Sequence, residues 1–221
     1  MSVWALLVAA GVGERLGDER PKAFVKLGEL PLLAEPLRRL EESDWVDAIV
    51  VAVPEGWEEP AILLAEELSA GKVVAAVRGG ATRAESVRAA LAEVSEDALV
   101  VLVHDAARPL VTEDVIERVL APLSEGWDGV VPGLPIVDTV KTVAGDTVTA
   151  TPAREKLIAV QTPQAFVASK LREAYAGEIA GATDCSSLVE AVGGRVKWVE
   201  GDPRLLKVTT KADLEQITAW L

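Results

Sequence analysis

Residues 3–17 read V-W-A-L-L-V-A-A-G-V-G-E-R-L-G. The first half is apolar without alternation, the pattern of a strand covered on both faces of a parallel sheet. The second half turns through glycines toward a helix. Glycine tolerates positive φ and lets the main chain approach a ligand closely, and consecutive N–H groups at a helix start cradle an anion. Ala9, Ala10, Gly11 and Gly13 are therefore candidate contacts to the phosphates of a nucleoside triphosphate. The dinucleotide fingerprint needs two residues between its last two glycines, whereas Gly13 and Gly17 enclose three. No Walker string G-x-x-x-x-G-K-[ST] occurs. Glycines alone would also suit a bland tight turn, but Arg15 and Pro21-Lys22 set two cations beside the cradle.

Outward from this stretch, further short β-rich apolar runs lie at residues 48–53, 73–77, 99–103 and 129–131, after the first at 3–9. Helical periodicity occupies residues 33–41, 58–68, 84–93 and 113–123. This alternation predicts an α/β fold, with a mostly parallel twisted sheet flanked by helices. Ligands in such sheets sit beyond the carboxyl ends of the strands, which singles out the loops after Ala9, Val77 and Val103. The pattern breaks at Pro135. Residues 136–150 alternate β-branched side chains around a Gly-Asp turn, which predicts an extended hairpin. A lone hairpin is unstable, so it must lie on its own body or on a second subunit. From Lys156 the βα pattern resumes, with a strand at 195–199 and a terminal helix from Ala212.

Composition narrows the class of ligand. With 22 basic and 35 acidic residues among 221, the net charge is −13. That surface repels nucleic acid and anionic membrane, so an anionic ligand requires the basic residues to be gathered at its site. One cysteine, Cys185, excludes an internal disulfide and suits a reducing cytoplasm. One histidine, His104, excludes a multi-histidine metal site. The apolar run at 3–10 has no basic residue before it and reads as a buried strand, not an export signal.

Three later clusters could carry chemistry. Residues 79–86, G-G-A-T-R-A-E-S, expose main-chain groups suited to the edge of a base. Thr82 with Glu85 fits a helix capping box better than a ligand contact. Residues 104–109, H-D-A-A-R-P, place Asp105 at a strand end, where it could hold Mg²⁺ with substrate phosphates or cap the next turn. One histidine and no nucleophile elbow argue against a triad of His104 with Ser86 or Cys185. Late in the chain, Arg154, Thr183-Asp184 and Lys207-Val208-Thr209 join Arg15, Lys22, Arg83 and Arg108 as a reservoir of positive charge and hydroxyls.

These motifs, with T-P-Q at Thr162, recur in order from residue 9 to 209 and resemble the 2-C-methyl-D-erythritol 4-phosphate cytidylyltransferase family. The resemblance implies a Rossmann-like nucleotidyltransferase forming a single domain over residues 1–221. A β-arm at about 135–155 would cross into the partner of a homodimer and share its active site. It implies catalytic roles for Arg15, Lys22, Arg154 and Lys207, the first two stabilising the transition state. Ala9, Ala10, Gly11, Gly13, Gly80, Ser86 and Lys207 would bind the nucleotide. Asp105, Arg108, Thr139, Arg154, Thr162, Thr183 and Thr209 would bind the polyol phosphate, with Asp105 also at the metal. Two positions depart from the family pattern: Cys185 stands where glutamate is usual, and Ala81 where an acidic or polar residue is common.

The implied reaction is in-line attack by a sugar phosphate oxygen on the α-phosphorus of CTP, expelling pyrophosphate. A phosphate monoester has a second pKa near ~6, so the nucleophile needs no histidine base. The competing readings are a cytidylyltransferase for another polyol phosphate such as ribitol 5-phosphate, a guanylyl- or uridylyltransferase, and a non-catalytic nucleotide-binding domain. Asp-Ala-Ala-Arg-Pro favours methylerythritol phosphate over ribitol phosphate. Retention of both Arg15 and Lys22 favours an enzyme over a binder.

Overall fold

The computed structural model describes residues 2–11, 13 and 20–221. Its strands are β1 Val3–Val8, β2 Lys26–Leu27, β3 Leu30–Pro31, β4 Ala48–Val53, β5 Val73–Arg78, β6 Val100–Asp105, β7 Gly129–Pro135, β8 Thr142–Ala144, β9 Thr147–Ala150, β10 Ile158–Val160, β11 Gln164–Val167 and β12 Val196–Glu200. The helices are α1 Ala34–Glu42, α2 Glu58–Glu67, α3 Arg83–Leu91, α4 Glu113–Leu120, α5 Ala168–Ala176, α6 Cys185–Ala191 and α7 Lys211–Thr218.

Among the described residues the central sheet has eight strands in the order β10-β7-β11-β6-β1-β4-β5, with β12 also paired to β7. The pairs β1–β4, β1–β6, β4–β5 and β7–β12 are parallel. Every residue of β4 and of β6 is buried, as continuous apolar runs require. Alternation divides their side chains between two cores. Ala5, Leu7, Ile49 and Val51 enter one, while Leu6, Val50 and Ala52 enter the other. The chain runs from β1 to β4 and β5 on one side, then returns to place β6 on β1's other side. That reversal opens a crevice beyond the carboxyl ends of β1 and β6.

Several expected bounds shift. β6 begins at Val100, because Leu99 is 58% exposed, and it runs two residues past the expected end to include His104 and Asp105. Asp105 is thus a strand residue with a fixed backbone. The expected helix to residue 123 ends at Leu120 and continues as a tighter turn over Ala121–Glu125, where Pro122 supplies no N–H. The resumption after Lys156 is not a simple βα unit. β10 and β11 pair antiparallel with β7 and β6, and each is too short to show a period of its own.

The hairpin β8–β9 forms at Gly145-Asp146. All its strand residues are exposed, and with Val137, Val143 and Val148 it leaves apolar side chains 56–79% open. No helix among the described residues is long and apolar enough to cross a membrane.

Candidate active site

Backbone hydrogen bonds stitch the three expected loops together at the crevice. Ala9 N–H donates to Ala52 O at 2.7 Å, Gly79 N–H to Val53 O at 2.7 Å and Ala106 N–H to Val8 O at 3.0 Å. Two glycines are required by this closeness. Gly13 has φ +74°, and a Cβ there would meet Lys22 Cβ at 2.6 Å; one on Gly79 would meet Ala10 Cβ at 2.4 Å. Ser86, 2% exposed, holds the second loop in shape. Its hydroxyl accepts from Gly80 N–H at 3.1 Å and donates to Thr82 O at 2.9 Å. Thr82 caps α3 in a capping box with Glu85, as its sequence suggests. The resulting cleft is lined by Ala9, Ala10, Gly11, Lys22, Gly80, Ser86 and Lys207, together with Arg83 and Asp105.

A second cleft opens beside the first, lined by Arg108, Gln161, Thr162, Gln164, Thr183 and Asp184. Arg83, Asp105 and Lys207 belong to both walls. Asp105 is the hub. Its Oδ1 accepts from Arg83 Nε at 2.8 Å and its Oδ2 from Lys207 Nζ at 2.7 Å. Burial alone would raise the Asp105 carboxyl, but Arg83 and Lys207 outweigh it and hold the group well below the usual carboxylate range. The carboxylate is therefore not a turn cap. Burial would likewise discharge Arg83, and Asp105 reverses that. Burial lowers Arg108 despite Asp105; its Nη1 is held by Leu205 O at 2.6 Å. Arg83 Nη2, Arg108 Nε and Gln164 Oε1 are buried without a hydrogen-bond partner, and all three residues line the second cleft. Buried polar atoms are normally satisfied, so these three unpartnered atoms mark strained polar packing directly behind the wall of this cleft.

His104 braces Asp105 from behind. Thr162 Oγ1 accepts from Asp105 N–H and lies 3.0 Å from His104 Nδ1, while His104 Nε2 lies 2.9 Å from Arg108 O. A carbonyl only accepts, so Nε2 carries the proton and Thr162 donates to Nδ1. Burial lowers His104 to about 4, which keeps it neutral. Its folded pKa lies below its unfolded value, so the stability it contributes is complete above the unfolded pKa of 6.5 and is lost as pH falls toward 4. From this group the protein should be about 2 kcal/mol less stable at pH 5 than at pH 7.5. Urea midpoints at the two pH values should show the drop in the wild type and a flatter dependence in His104→Gln.

The residues expected around the nucleotide, Ala9, Ala10, Gly11, Lys22, Gly80, Ser86 and Lys207, line one cleft, with Asp105 at its junction to the next. Gly13 packs on Lys22. Arg108, Thr162 and Thr183 line the second cleft, Thr162 with its hydroxyl already engaged by Asp105 and His104. Three expected residues are not brought there. Thr139 and Arg154 are exposed on the arm, where Arg154 Nη1 donates to Val137 O. Thr209 turns its N–H and hydroxyl to Asp213 Oδ2 at 2.8 and 2.7 Å, beside the cap of α7. Arg15 lies outside the described residues. The motifs did not single out Arg83, His104 or Gln164 as site residues. His104 and Gln164 do stand inside quoted motifs, H-D-A-A-R-P and T-P-Q, and for Arg83 the signal was an arginine on the first turn of a helix. Cys185 is fully buried behind Arg83, with Arg83 Nη1 at 3.4 Å and the Tyr175 hydroxyl at 3.2 Å from its sulfur. Burial pushes its thiol up.

A family model described as 2-C-methyl-D-erythritol 4-phosphate cytidylyltransferase matches residues 3–221. The enzyme of that name from Nocardia farcinica is 49% identical over 214 residues, covering 96% of this chain and 91% of its own. The one from Saccharopolyspora erythraea is 48% identical, covering 97% and 96%. Among solved structures, the Thermus thermophilus cytidylyltransferase superposes with a TM-score of 0.79 at 35% identity, covering 100% of this chain and 98% of its own. The 4-diphosphocytidyl-2C-methyl-D-erythritol synthase of Anaerococcus prevotii reaches 0.84 at 27%, covering 99% and 97%. The chain belongs to the 2-C-methyl-D-erythritol 4-phosphate cytidylyltransferase family.

Proposed function

We infer that this chain transfers a cytidylyl group from CTP to 2-C-methyl-D-erythritol 4-phosphate, giving 4-diphosphocytidyl-2-C-methyl-D-erythritol and pyrophosphate in non-mevalonate isoprenoid biosynthesis. The observation that carries the geometry is the shared wall of Arg83, Asp105 and Lys207 between two clefts. CTP would lie in the first cleft, its phosphates over the loop after β1, and the polyol phosphate in the second. The attacking oxygen and the α-phosphorus then meet at that wall. Lys22 and Lys207, with Arg15, would neutralise charge that builds up in transfer. The polyol's phosphate is already largely ionised near neutral pH, so neutral His104 serves as a brace and not as a base.

Asp105 suits a divalent cation shared with substrate phosphates. It is ionised, sits at the junction, and gives one oxygen to a lysine whose side chain is 42% exposed and can move away. The described residues hold no group of three or more candidate ligands, which argues for Mg²⁺ arriving with the triphosphate and not for a protein cage. Such an ion would screen the repulsion between the phosphates.

The arm supports a homodimer with exchanged arms, and the single cysteine, Cys185, fits a cytoplasmic setting. A hairpin whose strands are exposed throughout, with valines more than half open, requires a covering surface. Thr139 and Arg154 would then serve the partner's second cleft, while the single domain keeps its own Lys22. Mixing an Arg154→Ala chain with a Lys22→Ala chain should restore part of the activity, since one site of each mixed dimer is intact. No restoration after confirmed subunit exchange would mean that the arm serves its own body. For the reaction, mass spectrometry after incubation with CTP, methylerythritol phosphate and Mg²⁺ should show the diphosphate-linked cytidine product. Bound but unchanged CTP would instead indicate a nucleotide-binding domain.

A further inference from the structure

The first turn of α3 carries a cation where a helix disfavours one. Arg83 directly follows the Thr82 cap, and the N-terminus of a helix is the end that favours negative charge. Its side chain is only 20% exposed, so solvation does not explain its placement either. Departures from local preference concentrate at functional sites.

The contacts of Arg83 describe a fixed group. Nε holds Asp105 Oδ1 at 2.8 Å and Nη1 rests on Cys185 Sγ at 3.4 Å, with Tyr175 behind the sulfur. Nη2 is buried and has no hydrogen-bond partner. Lys207, on the other carboxylate oxygen, differs in kind. Its side chain is 42% exposed and reaches both clefts. An ammonium on a flexible stem exchanges partners readily, whereas a planar guanidinium seated at two points does not. An incoming phosphate therefore draws Lys207 away first.

We propose that Arg83 is a positioning residue for the transfer: it anchors Asp105 through Oδ1 when Lys207 leaves Oδ2 for a substrate phosphate, so that the freed oxygen stays fixed at the junction of the two clefts, where the polyol phosphate and the cation shared with the phosphates would meet. This rests on the cytidylyl transfer assigned above, and wild-type turnover in the same assay tests that reaction separately. Arg83 acts on the transfer through Asp105, although it also lines the first cleft, and four readouts on the full chain follow.

Arg83→Met should lower kcat/KM for methylerythritol phosphate about 10–100-fold. The Kd for CTP, by calorimetry without the polyol and without Mg²⁺, should change far less than kcat/KM. Arg83→Lys should recover part of the loss, because it restores charge without the fork. Arg83→Met added to Asp105→Asn should slow the enzyme by no more than about twofold beyond Asp105→Asn alone. Wild-type kinetics in Arg83→Met, a CTP Kd that rises as far as kcat/KM falls, or losses that multiply in the double variant would each overturn the assignment. Should Arg83→Met fail to fold, the same comparisons made with Arg83→Lys decide the matter.

Discussion

Lys22→Ala is expected to lower kcat for cytidylyl transfer about 10²–10³-fold while leaving the fold intact. Lys22 lines the first cleft, and its backbone and Cβ lie against Gly13 in the loop after β1. In the proposed arrangement its charge would lie beside the triphosphate. In the proposed in-line transfer the polyol's phosphate is its own ionised nucleophile, so the protein's share of the work is positioning and charge neutralisation. A preorganised cation acts most strongly where negative charge grows in the transition state. The loss should thus fall on kcat more than on KM for CTP. Steady-state pyrophosphate release, with circular dichroism to check folding, separates the cases: near-normal turnover in a folded variant removes Lys22 from the mechanism.

Asp105→Ala should cost both stability and activity. The carboxylate is 8% exposed and is the anionic partner of Arg83, itself mostly buried. Breaking such a pair leaves an uncompensated charge inside the protein and typically costs about 3–5 kcal/mol. Lys207 adds little to that figure, because its half-open ammonium regains water. Asp105→Asn keeps the shape and should destabilise less, yet it still loses the charge that both substrate clefts share. Denaturant unfolding should rank wild type above Asp105→Asn and Asp105→Asn above Asp105→Ala, with turnover low in both variants. An Asp105→Ala chain as stable as wild type would show that Arg83 finds another partner, and the hub would dissolve.

The parts of the molecule visible in the sequence are those where one local rule decides the outcome. β1 and β4 are apolar throughout because both faces are covered, and their runs can be read directly. The Thr82–Glu85 cap and the Gly-Asp hairpin turn are equally local. β10 and β11 were hidden because strands of three and four residues owe their state to β7 and β6, their antiparallel partners. The cradle, the Gly79–Ser86 loop and Asp105 were legible as motifs, but Arg83 was counted only as part of a general positive charge. Its place under Asp105 depends on α3 and β6 meeting across a sequence separation of 22. The brace through His104 and Thr162 spans 58 residues and has no local signature. The arm was recognisable from its Gly-Asp turn, and its strands lie exposed in the chain alone.

The central claim is that two adjoining clefts bring CTP and methylerythritol phosphate to one charged wall. The most direct test is the initial rate of pyrophosphate release with Mg²⁺ across a panel of triphosphates and polyol phosphates. CTP with methylerythritol phosphate should give one pyrophosphate for each polyol consumed. UTP, GTP and ribitol 5-phosphate should each fall well below that rate. No pyrophosphate from the first pair, or an equal rate with ribitol 5-phosphate, would contradict the assignment.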